Sequence, residues 1–384
     1  MRARWRVTKP LRDRIAEGHP WIYDRAVETS PAPDHVVTLV DERGPLATAL
    51  ADPSSPIRAR VLDLDPDATC DAAWAERRAR DAAGRRVRDP LLAHCTGRRL
   101  IHGEADGCAG LVIDCYADTA VVVYDGPAAA SFWSARLSGV LAGLDAHVRL
   151  AHVWVRGDRK DRGGRVASAV RGDPPAEIVI SEDEARFAVD VRAGQKTGFF
   201  LDQRENRRLV RRHAAGARVL NAFCYTGGFS LHAALGGAAH VTSIDVAGPA
   251  ITALRHNVEL SGLVADRHDA IAIDAFDFFA QAAARRDRWD LVIVDPPSFA
   301  PSEKAKPAAL ASYGKLVDAA LAVTAPNGRF ALASCSSHIT EADLLALCAR
   351  PGLRLRAALG AASDHPVLPA FPEGRYLKFL LFDV

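Results

Sequence analysis

The stretch Leu291-Val292-Ile293-Val294-Asp295-Pro296-Pro297-Ser298-Phe299 decides how this chain folds. Its four apolar residues are typical of a buried strand, and the acid and the two prolines after them form a rigid turn where the strand ends. A second apolar run, at 330–333, ends in Ser334-Cys335-Ser336. Ligands of an open parallel sheet bind just outside the carboxyl ends of its strands. We therefore expect a site with an acid at one strand end and a thiol at another.

Predicted strands and helices alternate around these two stretches, which favours an α/β fold with a doubly wound parallel sheet. The apolar runs that predict strands lie at 219–222, 241–244, 270–273, 291–294 and 330–333. The runs that predict helices lie at 229–235, 250–260, 275–284, 308–323 and 342–348. The C-terminal half of the chain is therefore predicted to be a nucleoside-binding, Rossmann-like domain.

The length of 384 residues exceeds one typical domain, and 49% hydrophobic with 25% charged residues is an ordinary globular composition. Short β-like runs separated by turns predict a small β-rich domain over residues 1–68. An Arg-rich helical stretch and several strand-like runs predict a central α+β domain over 69–192. The doubly wound sheet then occupies residues 193–384.

Basic residues are concentrated in four segments, although the formal net charge is only +2. The segments are 2–14, 77–99, 156–171 and 204–218, and they contain mostly Arg. Guanidinium groups make bidentate contacts with phosphates, so these segments are candidates for nucleic-acid contacts. The alternative is that they are the solvated faces of helices.

The cysteines and the N-terminus indicate a soluble cytoplasmic protein. The seven cysteines lack the regular spacing of a disulfide framework, which suits a reducing compartment. The sequence contains no Cys-x-x-Cys pair, so a structural zinc site is not expected. The first residues lack the apolar core of a signal peptide, and no apolar run is long enough to span a membrane. We expect no metal and no membrane partner.

The loop Asn221-Ala222-Phe223-Cys224-Tyr225-Thr226-Gly227-Gly228-Phe229-Ser230 joins the first strand of the sheet to its helix. The next strand ends in Asp245, where an acid can accept hydrogen bonds from both hydroxyls of a ribose. The Gly-x-Gly-x-x-Gly pattern that binds a pyrophosphate is absent, which favours S-adenosylmethionine over a nicotinamide cofactor. The predicted cofactor-binding residues are Asn221, Phe223, Tyr225, Thr226, Gly227, Asp245, Asp274 and Asp295.

Asp274 has two compatible interpretations. It follows a predicted strand, where an acid can accept a hydrogen bond from the adenine amino group. It also precedes a predicted helix, where it would serve as the N-cap.

Several blocks together resemble the bacterial 23S ribosomal RNA cytosine-5 methyltransferase family. In the C-terminal half these are 194–207, 221–230, 295–299 and 334–338. Residues 18–23 and 55–60 are similar to the PUA RNA-binding domain of that family, and 101–107 and 110–114 to its central domain. The resemblance covers nearly the whole chain. Cys108-Ala109 replaces a more usual Leu-Pro, and Gly163-Gly164 shortens a typical acidic stretch.

The resemblance implies a PUA domain, a linking α+β domain and a C-terminal class I methyltransferase domain. It also implies S-adenosylmethionine as methyl donor and ribosomal RNA as substrate. The block 195–204 would line the methionine end of the cofactor and part of the RNA channel, or it would only pack as a hinge. The predicted substrate-binding residues are Lys196, Phe199, Gln203, Arg204, Pro296, Pro297 and Phe299.

Cys335 is the predicted nucleophile, because it lies at a strand end between two small hydroxyl residues. Cys224 and Cys348 are weaker candidates, one inside the cofactor loop and the other on an apolar helix face. Asp295 is predicted to bind the N3 and amino edge of a cytosine. Phe299 would stack on the base or anchor its own loop.

The general base has three candidates, which are Asp202, Glu205 and a water molecule. His338 is a further candidate for shaping the pocket.

Three other classes of function are compatible with parts of the pattern. An RNA methyltransferase that modifies a guanine or adenine nitrogen would need no thiolate. A nonenzymatic RNA-binding protein would need no S-adenosylmethionine, and a nicotinamide dehydrogenase is disfavoured by its missing glycine motif. The sequence leaves both a monomer and a homodimer open.

Overall fold

The computed structural model describes residues 2–32, 34–157, 167–300 and 302–384. Much of the basic segment 156–171, with Gly163-Gly164, lies outside the described residues. The chain forms two compact units. The first comprises Met1–Ile180, Val189–Leu201 and Ser363–Gly374, and the second comprises Ser181–Ala188, Asp202–Ala362 and Arg375–Val384. The predicted domain 1–68 lies in the first unit, and so does the predicted central domain 69–192 except for residues 181–188, which belong to the second unit. The domain boundaries at 68 and 192 stay predictions.

A six-stranded sheet with the strand order β2-β6-β5-β4-β1-β3 forms the N-terminal part of the first unit. Its elements are β1 (Ala3–Val7), α1 (Arg12–Ala16), β2 (Trp21–Tyr23), β3 (Val27–Glu28), β4 (Val36–Asp41), β5 (Gly44–Ala51) and β6 (Ile57–Asp63). Alternate residues point inward, and Trp5, Val37 and Leu39 are fully buried in one apolar core. This is the small β-rich domain that the sequence predicts.

A five-stranded sheet with the order β11-β10-β9-β8-β7 is the second sheet of the first unit. Its elements are α2 (Ala72–Val87), β7 (Gly97–His102), β8 (Leu111–Tyr116), β9 (Thr119–Tyr124), α3 (Pro127–Ser134), α4 (Leu137–Asp145), β10 (His152–Val155) and β11 (Ser168–Arg171). The sequence pattern missed α3 and α4. Both are apolar on most sides, so they lack the polar face that marks a helix in sequence. After them, β12 (Ile178–Glu182) and β13 (Ala185–Val189) form a two-stranded sheet.

Two glycines of α4 allow it to pack closely against α2. A Cβ atom on Gly139 would lie 2.2 Å from the carbonyl oxygen of Ala72, and one on Gly143 would lie 2.3 Å from that of Glu76. Because the glycines are one helical turn apart, they face the same neighbour. Any larger side chain would push the two helices apart.

A seven-stranded sheet with the order β16-β15-β14-β17-β18-β20-β19 is the centre of the second unit. Its strands are β14 (Arg218–Ala222), β15 (His240–Asp245), β16 (His268–Ala272), β17 (Trp289–Val294), β18 (Thr324–Ser334), β19 (Arg354–Leu359) and β20 (Lys378–Asp383). All neighbours are parallel except that β20 runs antiparallel to β18 and β19. The predicted α/β class with a doubly wound sheet is confirmed.

Helices cover this sheet and bury an apolar core on each of its faces. They are α5 (Arg204–Arg212), α6 (Gly228–Leu235), α7 (Gly248–Leu260), α8 (Ala275–Arg285), α9 (Lys306–Val323) and α10 (Glu341–Leu347). The five predicted helices after residue 219 correspond to α6–α10. Within the described ranges no helix is long and apolar enough to cross a bilayer.

Replacing Gly143 by Ala is expected to lower the free energy of unfolding by ~1–3 kcal/mol, because the methyl group would overlap the backbone of α2. The matched control is Gly314→Ala in α9, where the nearest atom to a new Cβ is 3.8 Å away. That change should be neutral or stabilising, since Ala is a better helix former than Gly by ~1 kcal/mol. Urea denaturation followed by circular dichroism measures both. Equal stabilities of the two variants would contradict the close packing of α2 and α4.

Candidate active site

The loop between β14 and α6 is held in an unusual backbone conformation. Phe223, Tyr225 and Gly227 have left-handed φ angles of 60°, 48° and 88°. Left-handed conformations are unfavourable for residues other than glycine, so Phe223 and Tyr225 store strain that surrounding contacts must offset. One such contact is the hydrogen bond that the Tyr225 N–H donates to the carboxylate of Asp245, at 2.9 Å. The strand end at Asp245 therefore holds the loop of the neighbouring strand.

Asp245 also accepts a hydrogen bond from its own turn. Its second carboxylate oxygen accepts the N–H of Ala247 at 2.9 Å. The carboxylate is only half-buried, and each oxygen has a further lone pair with which to accept a hydroxyl. The neighbouring Val246 is 74% exposed. A polar group beside a bare apolar side chain suits the ribose and the base of a nucleoside.

Asn221 and Gly227 fix the start of α6. Asn221 is fully buried and donates to the hydroxyl of Ser230 at 2.8 Å. Its Oδ1 atom is buried without a hydrogen-bond partner among the described residues. A Cβ atom on Gly227 would lie 2.7 Å from Cγ of Leu254, so no larger residue fits there. The carbonyl of Thr226 accepts from the side chain of Asn257 at 2.9 Å.

Asp274 is the N-cap of α8. One carboxylate oxygen accepts the N–H groups of Phe276 and Asp277 at 2.8 and 3.2 Å. The helix-cap interpretation is therefore confirmed. The side chain is exposed, and its contact with an adenine stays a prediction.

The chemistry of this strand-end region fits S-adenosylmethionine. The segment 221–230 contains no Lys or Arg that would neutralise a phosphate. Its apolar side chains lie beside the carboxylate of Asp245, and its Gly227 closes against Leu254. A cofactor with a ribose and a base but without phosphates is compatible with this set of groups.

Asp295 follows β17 and is held by a short chain of amides. Gln203 donates to its carboxylate at 2.8 Å, and Asn206 donates to the oxygen of Gln203 at 2.6 Å. Gln203 and Asn206 are buried, whereas Asp295 is half-buried. Gln203, a predicted substrate residue, thus orients Asp295, and a direct contact with substrate stays a prediction.

Cys335 follows β18 on the strand next to β17. It is half-buried, whereas the other cysteines, including Cys224 and Cys348, are buried. Burial raises the pKa of Cys348 to about 11, which leaves that thiol un-ionised at neutral pH. Among the cysteines, Cys335 therefore has the exposure that a nucleophile needs.

The two serines beside Cys335 fix the turn in which it lies. Ser334 accepts a hydrogen bond from the hydroxyl of Tyr313 at 2.9 Å. Ser336 donates to the carbonyl of Ala300 at 3.0 Å, which ties the turn to the loop after β17. This hydrogen bond therefore connects the loop that contains Asp295 with the turn that contains Cys335.

Tyr313 of α9 is a part of this site that the sequence pattern missed. Its pKa is raised, first by burial and then by the negative charges of Cys335 and Asp295. Through its hydrogen bond to Ser334, the phenol is attached to the turn that contains Cys335. Its ring centroid lies 5.0 Å from that of Phe299 at an angle of 59°. This contact supports the anchoring role of Phe299, and stacking on a base stays a prediction.

The prolines of the turn after β17 differ in exposure. Pro296 is buried, and Pro297 is exposed. The predicted contacts of both with substrate stay predictions, and the exposed ring of Pro297 is the more accessible of the two.

The three side chains proposed as base or pocket residues each have a partner. Asp202 is buried and accepts the hydroxyl of Tyr376 at 2.6 Å. Glu205 lies 3.6 Å from the guanidinium of Arg208, and His338 lies 3.1 Å from Glu303. None of these contacts identifies the base.

Lys196 and Phe199 belong to the first unit. The ammonium of Lys196 lies 4.5 Å from the ring centroid of Phe200. Phe199 is 3% exposed, and its N–H donates to the hydroxyl of Tyr116 at 3.2 Å. Thr197 donates to Asp114 at 2.6 Å. These contacts agree with the packing interpretation of the block 195–204, and its contact with RNA stays a prediction.

The predicted phosphate contact of Arg204 needs a correction. Arg204 is 0% exposed, and its Nε atom lies 3.7 Å from the carboxylate of Glu182. Arg207 is also buried and pairs with the same carboxylate at 2.6 and 2.5 Å. Burial alone would raise the pKa of Glu182, but Arg207 and His232 hold it well below its usual range. These guanidinium groups therefore stabilise the interior instead of forming a basic surface.

Two further arginines of α5 also pair with acids. Arg208 pairs with Asp183 at 2.7 Å, and Arg211 pairs with Glu184 at 2.5 Å. The basic segment that begins at residue 204 is therefore largely matched by the acids at 182–184. In the part of the chain that the structure describes, no cluster of His, Cys, Asp or Glu could hold a metal ion.

Comparisons with known proteins give the class. Residues 143–381 match the family of S-adenosylmethionine-dependent methyltransferases, and residues 6–64 match the PUA-like domain. Similar proteins include a ribosomal RNA large subunit methyltransferase of Deinococcus radiodurans, 37% identical over 100% of this chain and 98% of that protein. Another is ribosomal RNA large subunit methyltransferase I of Aeromonas salmonicida, 35% identical over 98% of each.

Solved structures support the same fold. A methyltransferase complexed with S-adenosylhomocysteine has a TM-score of 0.87 at 22% identity over 100% of both chains. A methyltransferase from Streptococcus mutans has a TM-score of 0.85 at the same identity and coverage. The chain belongs to the S-adenosylmethionine-dependent methyltransferase family and carries a PUA-like domain at its N-terminus. The predicted cofactor, S-adenosylmethionine, is confirmed.

Replacing Asp245 by Ala is expected to raise the Kd for S-adenosylmethionine by at least ~10-fold. The change removes both the charged group that is predicted to accept the ribose hydroxyls and the hydrogen bond that restrains Tyr225. Isothermal titration calorimetry measures the affinity, with Asp266→Ala, an exposed acid of the same unit, as the control. Equal affinities of the two variants would show that Asp245 does not hold the cofactor.

Proposed function

We propose that this protein methylates carbon 5 of a cytosine in the 23S ribosomal RNA of the large subunit. The names of its relatives support ribosomal RNA as the substrate, and the PUA-like domain supports RNA binding. The observation that carries the cytosine assignment is the position of Cys335. It is a half-buried thiol at the end of the strand beside the one that presents Asp295.

The thiol gives the site a way to activate a pyrimidine. Carbon 5 of cytosine is a poor nucleophile while the ring is aromatic. When the thiolate of Cys335 adds to carbon 6, the electrons of the 5,6 double bond move toward carbon 5 and N3. Carbon 5 then attacks an electrophilic methyl group, whose bond to the donor's sulfonium sulfur would break with both electrons staying on the sulfur. A nitrogen of guanine or adenine already has a lone pair, so its methylation would not require a thiolate at Cys335.

Asp295 binds the base while this charge develops. Its carboxyl group, held by Gln203, faces the N3 and amino edge of the cytosine. For this role Asp295 donates the O–H of its protonated carboxyl group to N3, which stabilises the negative charge there as the thiolate adds. Because Gln203 and Asn206 restrain the side chain from behind, little reorganisation is needed when the base enters.

The cofactor supplies a methyl group on a positively charged sulfur. Asp245 would hold its ribose, Asp274 its adenine, and the 223–227 loop would enclose its methionine end. After methyl transfer, a base removes the proton from carbon 5. The electrons of that C–H bond restore the double bond, and the thiolate of Cys335 leaves carbon 6.

RNA containing 5-fluorocytidine tests the covalent step directly. Fluorine at carbon 5 cannot leave as a proton, so the protein is expected to stay joined to the RNA after methyl transfer. Denaturing gel electrophoresis detects the covalent complex. Peptide mass spectrometry should then find the attached nucleotide on the peptide that contains Cys335. Cys335→Ala should form no complex and should lose methylation by more than ~100-fold.

The control for this experiment is Cys348→Ala, which changes a buried cysteine of the same unit and should still form the complex. Methylation of unmodified RNA by Cys335→Ala at the parental rate would overturn the cytosine assignment.

A further inference from the structure

Lys378 is a buried cation at the start of β20. It is 5% exposed, and the rest of its strand is apolar except for the last residue. A lysine in such a place is unusual, because burying an ammonium is costly unless it is paired or hydrogen-bonded. In the antiparallel register, Lys378 lies directly opposite Ser334, one residue before the thiol of Cys335.

The hydrogen bonds of Lys378 tie it to the turn that contains Cys335. Its Nζ atom donates to the carbonyl of Ser336 at 2.5 Å and to that of Tyr376 at 2.9 Å. Both acceptors are neutral main-chain groups, so these bonds place the charge without neutralising it. The ammonium is thus fixed against the residue that follows the nucleophile.

The charged and titratable groups around this turn come from four elements. Burial lowers the pKa of Lys378 to about 8, while the negative charges of Cys335 and then Asp343 of α10 oppose that shift. Asp343 is also bonded to Lys306, at 2.8 Å. Tyr313 of α9 donates to the hydroxyl of Ser334 in the same turn, and the negative charges of Cys335 and Asp295 raise the pKa of Tyr313. The positive charge of Lys378 favours a thiolate at Cys335.

We propose that Lys378 is a positioning residue for the nucleophile: its buried ammonium stabilises the thiolate of Cys335 and holds the 334–336 turn. The inference rests on the proposed function, in which Cys335 adds to the base. An adjacent cation lowers the pKa of a cysteine and so increases the fraction of thiolate. Lys378 transfers no proton in this step, and the electron pair that forms the S–C6 bond comes from the thiolate.

Alkylation of Cys335 by iodoacetamide, without RNA, tests this role. The rate is measured from pH 5.5 to 10 by mass spectrometry of the peptide that contains Cys335. In the parent protein the midpoint of the rate profile is expected below that of a free thiol, about 8.5. Lys378→Met should raise the midpoint by about one pH unit or more, since it removes the neighbouring opposite charge.

Two further variants make the test specific to the charge. Lys378→Arg keeps the cation and should leave the midpoint within about half a unit of the parent value. Lys315→Met removes an exposed lysine of α9 and should change nothing. A midpoint at or above 8.5 in the parent protein would overturn the proposal even if Lys378→Met fails to fold. So would an unchanged midpoint in a folded Lys378→Met variant.

The labelling experiment separates this inference from the proposed function. It uses the protein alone, so its result does not depend on which base is methylated. One possible result is a midpoint below 8.5 that depends on Lys378, together with full methylation by Cys335→Ala. This result would refute the cytosine-5 assignment but would support the interaction between Lys378 and the Cys335 thiolate. The opposite result is an alkylation midpoint at or above 8.5 together with a covalent complex between the protein and 5-fluorocytidine RNA. It would refute only the interaction between Lys378 and the Cys335 thiolate.

Discussion

The parallel pairing of β17 with β18 is the constraint on which the proposed site depends. Val294 lies opposite Leu332, so both strands finish at the same edge of the sheet, with Asp295 after one and Ser334-Cys335 at the end of the other. Strand β20 runs antiparallel to β18, so its first residue, Lys378, lies opposite Ser334 at the end of β18. A shift of the register by one residue would turn each of these side chains to the other face of the sheet. The acid, the thiol and the buried lysine are thus set by the same hydrogen-bonded ladder.

Neighbouring groups restrain the loops at this edge, which have little regular structure. The left-handed Tyr225 is held by Asp245, and the turn at Cys335 is held by Tyr313, Ala300 and Lys378. A strained or irregular backbone persists only where its surroundings determine it. The groups that we propose to bind or react are therefore also part of the support, and substitutions here are expected to change both binding and local order.

The sequence could predict what depends on local pattern. The apolar runs, the residue after each strand and the cap at Asp274 are all set by neighbours in sequence, and their positions in the structure agree with the prediction. The pattern could not reveal Tyr313 or Lys378, because they reach the site through a helix and through a last strand that reverses direction. It also misjudged Arg204, since the acids that neutralise α5 are more than twenty residues away, on β12 and the turn after it. Charge in a sequence indicates a surface only when its partners are known.

The central claim is that a thiol at position 335 makes carbon 5 of a cytosine the methyl acceptor. The most direct measurement is the identity of the methylated nucleoside. Ribosomal RNA from cells that lack the gene would be methylated by the purified protein with isotopically labelled S-adenosylmethionine, digested and analysed by mass spectrometry. The account predicts that the label appears in 5-methylcytidine. Label in a methylated guanosine or adenosine would contradict it.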